Sequence, residues 1–225
     1  MDCPLIAMAA FVLAFNVSWA QDDKDPNQWL EGVTDPKALD WVKARNAEST
    51  TELTKSAEFA AMNDRMLKIL DSKEKIPFIA KRGAHYYNFW KDEKNKRGLW
   101  RRTSLEEYKK PSPQWETVLD LDKLAADEKE NWVWHGSIWL SPTYTHCMLN
   151  LSRGGADANV VREFDPTAKV FVKDGFTVPE AKSDVTWRDK DTLLVGTDFG
   201  PGSLTDSGYP RVMKEWKRGT KLADA

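Results

Sequence analysis

The residues in this 225-residue chain with which chemistry could be done are few: three histidines, two cysteines and a loose run of carboxylates. His85, His135 and His146 have no mutual spacing that makes a metal motif, and no cysteine pair supports one. His135, beside Trp134, reads as a structural or surface residue. Cys147 would be a nucleophile only with a base at its side. In a strand, however, its neighbours His146 and Met148 point to the opposite face, so a buried structural thiol is the better reading. Asp120, Asp122, Asp127 and Glu128 are carboxylates of the kind calcium loops use, but Leu124 stands where the third aspartate of that pattern would be, leaving a solvated connection. The basic stretch Lys91–Lys96 with Arg97, Arg101 and Arg102, near Trp90 and Trp100, could hold phosphate; a solvated hairpin turn explains it better. The Gly-rich loop 196–202 opens no helix and so forms no phosphate cradle. No catalytic, cofactor-binding or metal-binding residue emerges.

The elements that would position any site change character along the chain. Asp35-Pro36 is an N-cap followed by a first-turn proline. It predicts a helix to about Leu53 with Ala38, Trp41, Val42 and Arg45 on one face. A second helix from about Lys55 to Leu70 carries Phe59, Met62, Met66, Ile69 and Leu70. From Ile76 the period changes to two. Lys75–Arg102 reads as a first hairpin, with the aromatic strand His85–Trp90, a charged turn and a return from Gly98. Further strands are expected at Trp115–Asp120, Asn131–Leu140 (a pair, or one strand bent at Gly136), Thr145–Leu151, Val160–Phe164, Val170–Val172, Val185–Arg188, Thr192–Gly196 and Arg211–Lys217. Leu121–Glu130 is a polar, partly helical connection.

Short strands at this spacing predict a mainly β fold with an N-terminal helical segment. The recurring hairpins fit four-stranded propeller blades of about 40–50 residues. The span 75–225 then holds about three blades. A closed propeller needs about 4–8, and Lys221–Ala225 falls where a further blade would continue. The span therefore reads as part of a larger ring. The 11 tryptophans fit sheet packing.

Ahead of all this, Leu5–Val17 is apolar but too short to span a bilayer. Ser18-Trp19-Ala20 supplies the small residues of a signal-peptidase site, which predicts a signal peptide over 1–20, cleavage between Ala20 and Gln21, and a periplasmic or secreted protein with no membrane segment after cleavage. The n-region lacks Lys and Arg. Cys3 would be lost with the leader, leaving Cys147 without a disulfide partner. The formal net charge of −2 gives no nucleic-acid footprint.

Several stretches, in order, carry a resemblance: Trp29-Leu30-Glu31, Trp41-Val42 with Asn46, Lys75-Ile76-Pro77 leading to Gly83 and Tyr86-Tyr87, and Asn131–Gly136. LSRGGAD (Leu151–Asp157), VREFD (Val161–Asp165), FVKDGFTVPEAKS (Phe171–Ser183) and VGTDFGPGSLTDSGYPR (Val195–Arg211) extend it. Over about residues 27–225 the chain resembles the secreted bacterial branch of the prolyl oligopeptidase family of serine peptidases. The resemblance implies a helical segment (21–74), a propeller of seven-bladed type (75–225, about three blades here) that restricts entry to oligopeptide substrates, and an α/β-hydrolase domain with a Ser-Asp-His triad. No position here matches a triad residue. A G-x-S-x-G elbow is absent: Gly202-Ser203, Ser207-Gly208 and Gly154-Gly155 each lack part of it. The expected function is thus the propeller part of a serine oligopeptidase cleaving short, proline-containing peptides, the chain alone being inactive and using no cofactor. The alternative is a non-catalytic propeller that binds a peptide or partner. A glycan-binding propeller rests on the tryptophan count alone.

Overall fold

The computed structural model describes residues 25–225. The apolar leader, Cys3 and the Ala20–Gln21 cleavage position lie outside them. The chain divides into two compact units, one up to Asn63 and one from Asp64 to Ala225.

In the first unit the predicted cap forms. The Asp35 Oδ1 accepts from the Lys37 and Ala38 amides at 2.8 and 3.2 Å, and Pro36 opens helix α1 (Pro36–Thr54). Trp29, in a 3-10 turn at Gln28–Glu31, packs edge-on to Trp41 with ring centroids 6.1 Å apart. Helix α2 spans Ala57–Asp71. Of the two expected apolar stripes only Ala38 is buried, and Met62, Met66, Ile69 and Leu70 are all more than half exposed.

The second unit is built from three antiparallel sheets. The first has the order β1 (Ala80–Arg82), β2 (His85–Trp90), β3 (Leu99–Thr103), β4 (Glu116–Asp120). The second runs β5 (Trp132–Trp139), β6 (Cys147–Arg153), β7 (Asn159–Asp165) and then β8 (Val170–Phe171) and β9 (Thr177–Ala181), both paired to β7. The third is β10 (Asp184–Asp189), β11 (Thr192–Gly196), β12 (Met213–Lys217). Helix α3 (Leu105–Tyr108) lies between β3 and β4, and α4 (Leu121–Glu128) follows β4. The fold is mainly β, with open sheets in sequential order, as expected for part of a propeller.

The sheets stack face to face, and the strand period says how. In β6, Cys147 and Leu149 turn toward Tyr87, Trp100 and Val118 of the first sheet. The intervening Met148 turns the other way, into a core with Val185, Leu193, Val195 and Trp216 of the third. The second sheet is therefore buried on both faces, which is why Cys147–Leu149 is one unbroken apolar run. Leu151 and Trp132 close against Leu121 and Ala125 of α4.

Two glycines shape the strands as their places in the sequence suggest. Of the two readings of Asn131–Leu140 the bent strand forms: β5 is continuous over Trp132–Trp139 and bulged between Trp134 and Gly136, where Gly136 takes φ +114° and His135 points to solvent. Gly98 sits at φ +115°, and a Cβ there would lie 2.4 Å from the Phe89 ring, so the hairpin return requires glycine.

Candidate binding cleft

The potentially reactive side chains are dispersed along the chain, and the buried ones are engaged in the fold. Cys147 is fully buried, and burial pushes its thiol well above the ordinary value, so it is no nucleophile. His85 and His135 are exposed; His146 Nδ1 contacts the hydroxyl of its own neighbour Thr145 at 3.2 Å, with no carboxylate to orient the ring. Ser203 holds its loop together, accepting from the Phe199 amide at 2.9 Å and donating to the Gly200 carbonyl at 2.6 Å.

The acidic run is structural in the same way. Asp120 caps α4, Asp122 accepts from the Arg97 and Gly98 amides, Asp127 pairs with Lys123, and Glu128 bridges Arg162 and the Trp132 indole. Among the described residues no group of three or more His, Cys, Asp or Glu is placed to hold a metal ion.

The basic stretch is not a free phosphate surface. Arg97 donates to Asn131 and to the Trp132 carbonyl. Arg102 is buried, with its Nε 2.5 Å from Glu116 and its Nη1 3.0 Å from the Pro166 carbonyl across the sheet junction. Arg101 lies between two indole rings, Trp90 and Trp115, each 4.2 Å from its guanidinium carbon.

Glu116 also receives Lys169 at 2.6 Å. Hydrogen bonds from Arg102 and then Lys169 bring its carboxyl from 4.5 down to about 2. A carboxyl whose folded pKa is depressed stabilises the fold fully above its unfolded value, and that contribution is lost as pH falls through the folded value. Between about pH 5 and 2 the thermal midpoint of the native chain should therefore fall more steeply than that of Glu116→Gln. Parallel melts at stepped pH read the difference, and equal slopes would refute the pairing.

One concave feature stands out on the second unit. The segment Lys75–Ile79 contains Pro77, and β1 reaches only Ala80, opposite Tyr87. The edge of β2 beyond that point, Asn88–Trp90, thus has no strand on its β1 side. A cavity of about 790 Å³ opens there. Phe89, Trp100, Trp134 and Trp139 wall it, and Phe78 and Ile76 stand exposed at its rim. Phe89 and Trp134 stack at 5.1 Å with their planes 10° apart. Its polar lining includes Lys75, Lys91 and Ser137, together with Asn88, whose amide donates to the Phe78 carbonyl, and Arg82, whose Nε is buried without a partner among the described residues. Such a cleft can bind: aromatic walls take apolar side chains, and an open strand edge takes extended backbone. It contains no nucleophile–base pair.

The sheets have counterparts in known proteins. The family model described as prolyl oligopeptidase, N-terminal beta-propeller domain, matches residues 15–223. The chain belongs to the prolyl oligopeptidase family. An uncharacterized peptidase of Sinorhizobium fredii is 41% identical over 208 residues, covering 92% of this chain and 28% of the relative. One from Rickettsia prowazekii is 30% identical over 228 residues, covering 95% and 32%. Among solved structures, a post-proline cleaving enzyme from Rickettsia typhi superposes with a TM-score of 0.80 at 31% identity, covering 87% of this chain and 30% of that one. Oligopeptidase B from Leishmania major superposes at 0.63 with 14% identity and supports the fold alone.

This prolyl oligopeptidase family chain thus spans about three tenths of the length of the relatives it matches. The matched part is their propeller, consistent with the three open sheets. The family model that matches is that of the propeller domain, and no G-x-S-x-G segment occurs in the sequence.

The cleft itself was not legible as a site beforehand. In the sequence the tryptophans fit sheet packing, and Trp100 and Trp134 do pack between sheets as well as wall the cleft. The signal that points to it is Ile76-Pro77-Phe78: two large apolar residues flanking a proline that cannot continue a ladder.

Proposed function

We propose that this chain is the N-terminal propeller part of a serine-type oligopeptidase that hydrolyses short, proline-containing peptides, with the Ser-Asp-His triad contributed by further polypeptide. The observation that carries this reading is the similarity to the post-proline cleaving enzyme of Rickettsia typhi, which extends over most of this chain. In this reading the propeller admits oligopeptides to the hydrolase domain and excludes folded proteins. The exposed apolar faces of α1 and α2 are its docking surface for that domain. The leader places the enzyme in the periplasm or outside the cell.

A test uses an antibody against residues 131–140 on denatured extracts of the source cells. An antigen several times the size of this chain should be labelled by a serine-directed fluorophosphonate, should release dye from a glycyl-prolyl reporter peptide, and should begin at Gln21. The 225-residue chain alone should do neither reaction. Turnover by the chain alone, or an unlabelled antigen of its own size, would defeat the proposal. The second outcome would favour the other reading, a peptide-binding module without catalysis, for which the aromatic cleft beside β2 is the supporting observation.

A further inference from the structure

Both sheet junctions within the second unit are crossed by an arginine. Arg102, on β3, reaches from the first sheet to the Pro166 carbonyl in the turn after β7. Arg218, just past β12, reaches from the third sheet to Glu163 on β7, with both nitrogens bound at 2.8 and 2.9 Å, while its guanidinium covers the Phe176 ring at 4.5 Å. Arg101 is the neighbour of Arg102 on the same strand and therefore points to the opposite face of the first sheet. The second and third sheets both lie on the other side.

Arg101 is held as the crossing arginines are. It sits between the Trp90 and Trp115 rings, and its Nε donates to the Asn88 Oδ1 at 2.9 Å. Burial brings it down to about 10, with the Asp92 carboxylate offsetting only part of that. Yet among the described residues it forms no ion pair, whereas Arg102, Arg162 and Arg218 each do. Its far side opens on a cavity of about 510 Å³ whose rim carries Lys73, Lys75 and Lys110 against the one acid Glu74. A stacked, half-buried guanidinium with free donors, ringed by cations, is complementary to a carboxylate.

We propose that this face of the first sheet is the closing junction of the ring, and that the last sheet of the propeller seats on it with an aspartate or glutamate paired to Arg101 between Trp90 and Trp115. The proposal rests on the reading that the chain is the start of a longer propeller. The relatives supply the length for it, since this chain covers 28% and 32% of theirs. Radial packing of sheets requires that the outward face of the first be covered as its inward face is.

The test compares the 225-residue chain with the complete polypeptide of the same reading frame. Phenylglyoxal is the probe, and peptide mass spectrometry reads modification at Arg101. In the complete polypeptide Arg101 should lose the reactivity it has in the shorter chain, and Arg101→Met should lower the thermal midpoint of the complete polypeptide by more than that of the shorter chain, which loses only the contacts to Trp90, Trp115 and Asn88. Equal reactivity in both forms would overturn the proposal. So would protection of the shorter chain that grows with its concentration, which would make the occupant a second copy. Hydrolysis of the reporter peptide is scored separately. An active polypeptide with reactive Arg101 refutes the closing contact and leaves the peptidase reading intact; an inactive one with protected Arg101 does the reverse.

Discussion

Replacing Arg218 by methionine should destabilise the chain by about 3–5 kcal/mol, because it strands a carboxylate that has no water to return to. The Glu163 side chain is 0% exposed, and both its oxygens bind Arg218. The same Oε2 accepts from the Phe176 amide at 2.9 Å. Arg218 itself is about a third exposed, so the cost is lopsided. Removing the carboxylate leaves a cation that can rehydrate, whereas removing the cation leaves a buried anion. Methionine keeps an apolar stem over Phe176, so the loss reads the charge rather than the packing. The decisive variant is the pair Arg218→Met with Glu163→Gln. A neutral glutamine still accepts from Phe176 and needs no counter-charge, so the double variant should recover at least about half of the loss. Urea unfolding of the four chains gives the coupling; simple additivity would show that the two groups do not act as a pair.

That ion pair marks where the sequence stopped being legible. The helices are readable because Asp35-Pro36 and the apolar spacing are local signals, and the β10–β11 hairpin because the polar turn Asp189-Lys190-Asp191 separates Val185–Arg188 from the apolar run Thr192–Gly196. What was missed is weak locally and made by long-range pairing. Strand β1 is only Ala80-Lys81-Arg82, visible only through its register with His85–Tyr87. Strand β9 holds Pro179 and a single buried residue, Val178, and it forms only because β7 offers its edge once β8 has ended. Helix α3 did have a signal, Ser104 three residues before Glu107, and that cap forms. The inter-sheet arginines left no trace in the sequence. Arg101 and Arg102 read as one basic run, and only the strand period separates a buried crossing residue from one facing outward. The family was legible where the fold's contacts were not, because ordered short motifs survive as sequence while Glu163–Arg218 exists only as a distance.

The same alternation makes Trp100 the residue whose loss should most loosen the first sheet from the second. It stands on β3 facing β6 and is 3% exposed. Its ring lies 5.3 Å from Tyr87, 5.2 Å from Trp134, 5.6 Å from Trp139 and 5.8 Å from Phe164. Two of these come from β5 and one from β7, so the ring is the piece of the first sheet through which three elements of sequence meet. Truncation to alanine removes its transfer free energy and leaves a cavity lined by flat rings on two rigid sheets, which cannot collapse to fill it. The expected loss is about 3–5 kcal/mol, at the upper range for a buried aromatic. Trp115 gives the contrast. It is only partly buried, stacks on Arg101 and meets the Tyr108 ring edge-on at the outward face, so Trp115→Ala should cost roughly 1–2 kcal/mol in this chain. The cleft supplies a second readout. Trp100, Trp134 and Phe89 share its wall, so Trp100→Ala should also deepen it and bind an apolar dye that the native chain binds weakly. Denaturant melts of the two variants, run with dye titrations, separate the effects. Equal losses at Trp100 and Trp115 would mean that the junction between the first and second sheets is not the cooperative core that the alternation in β2, β3 and β6 assembles.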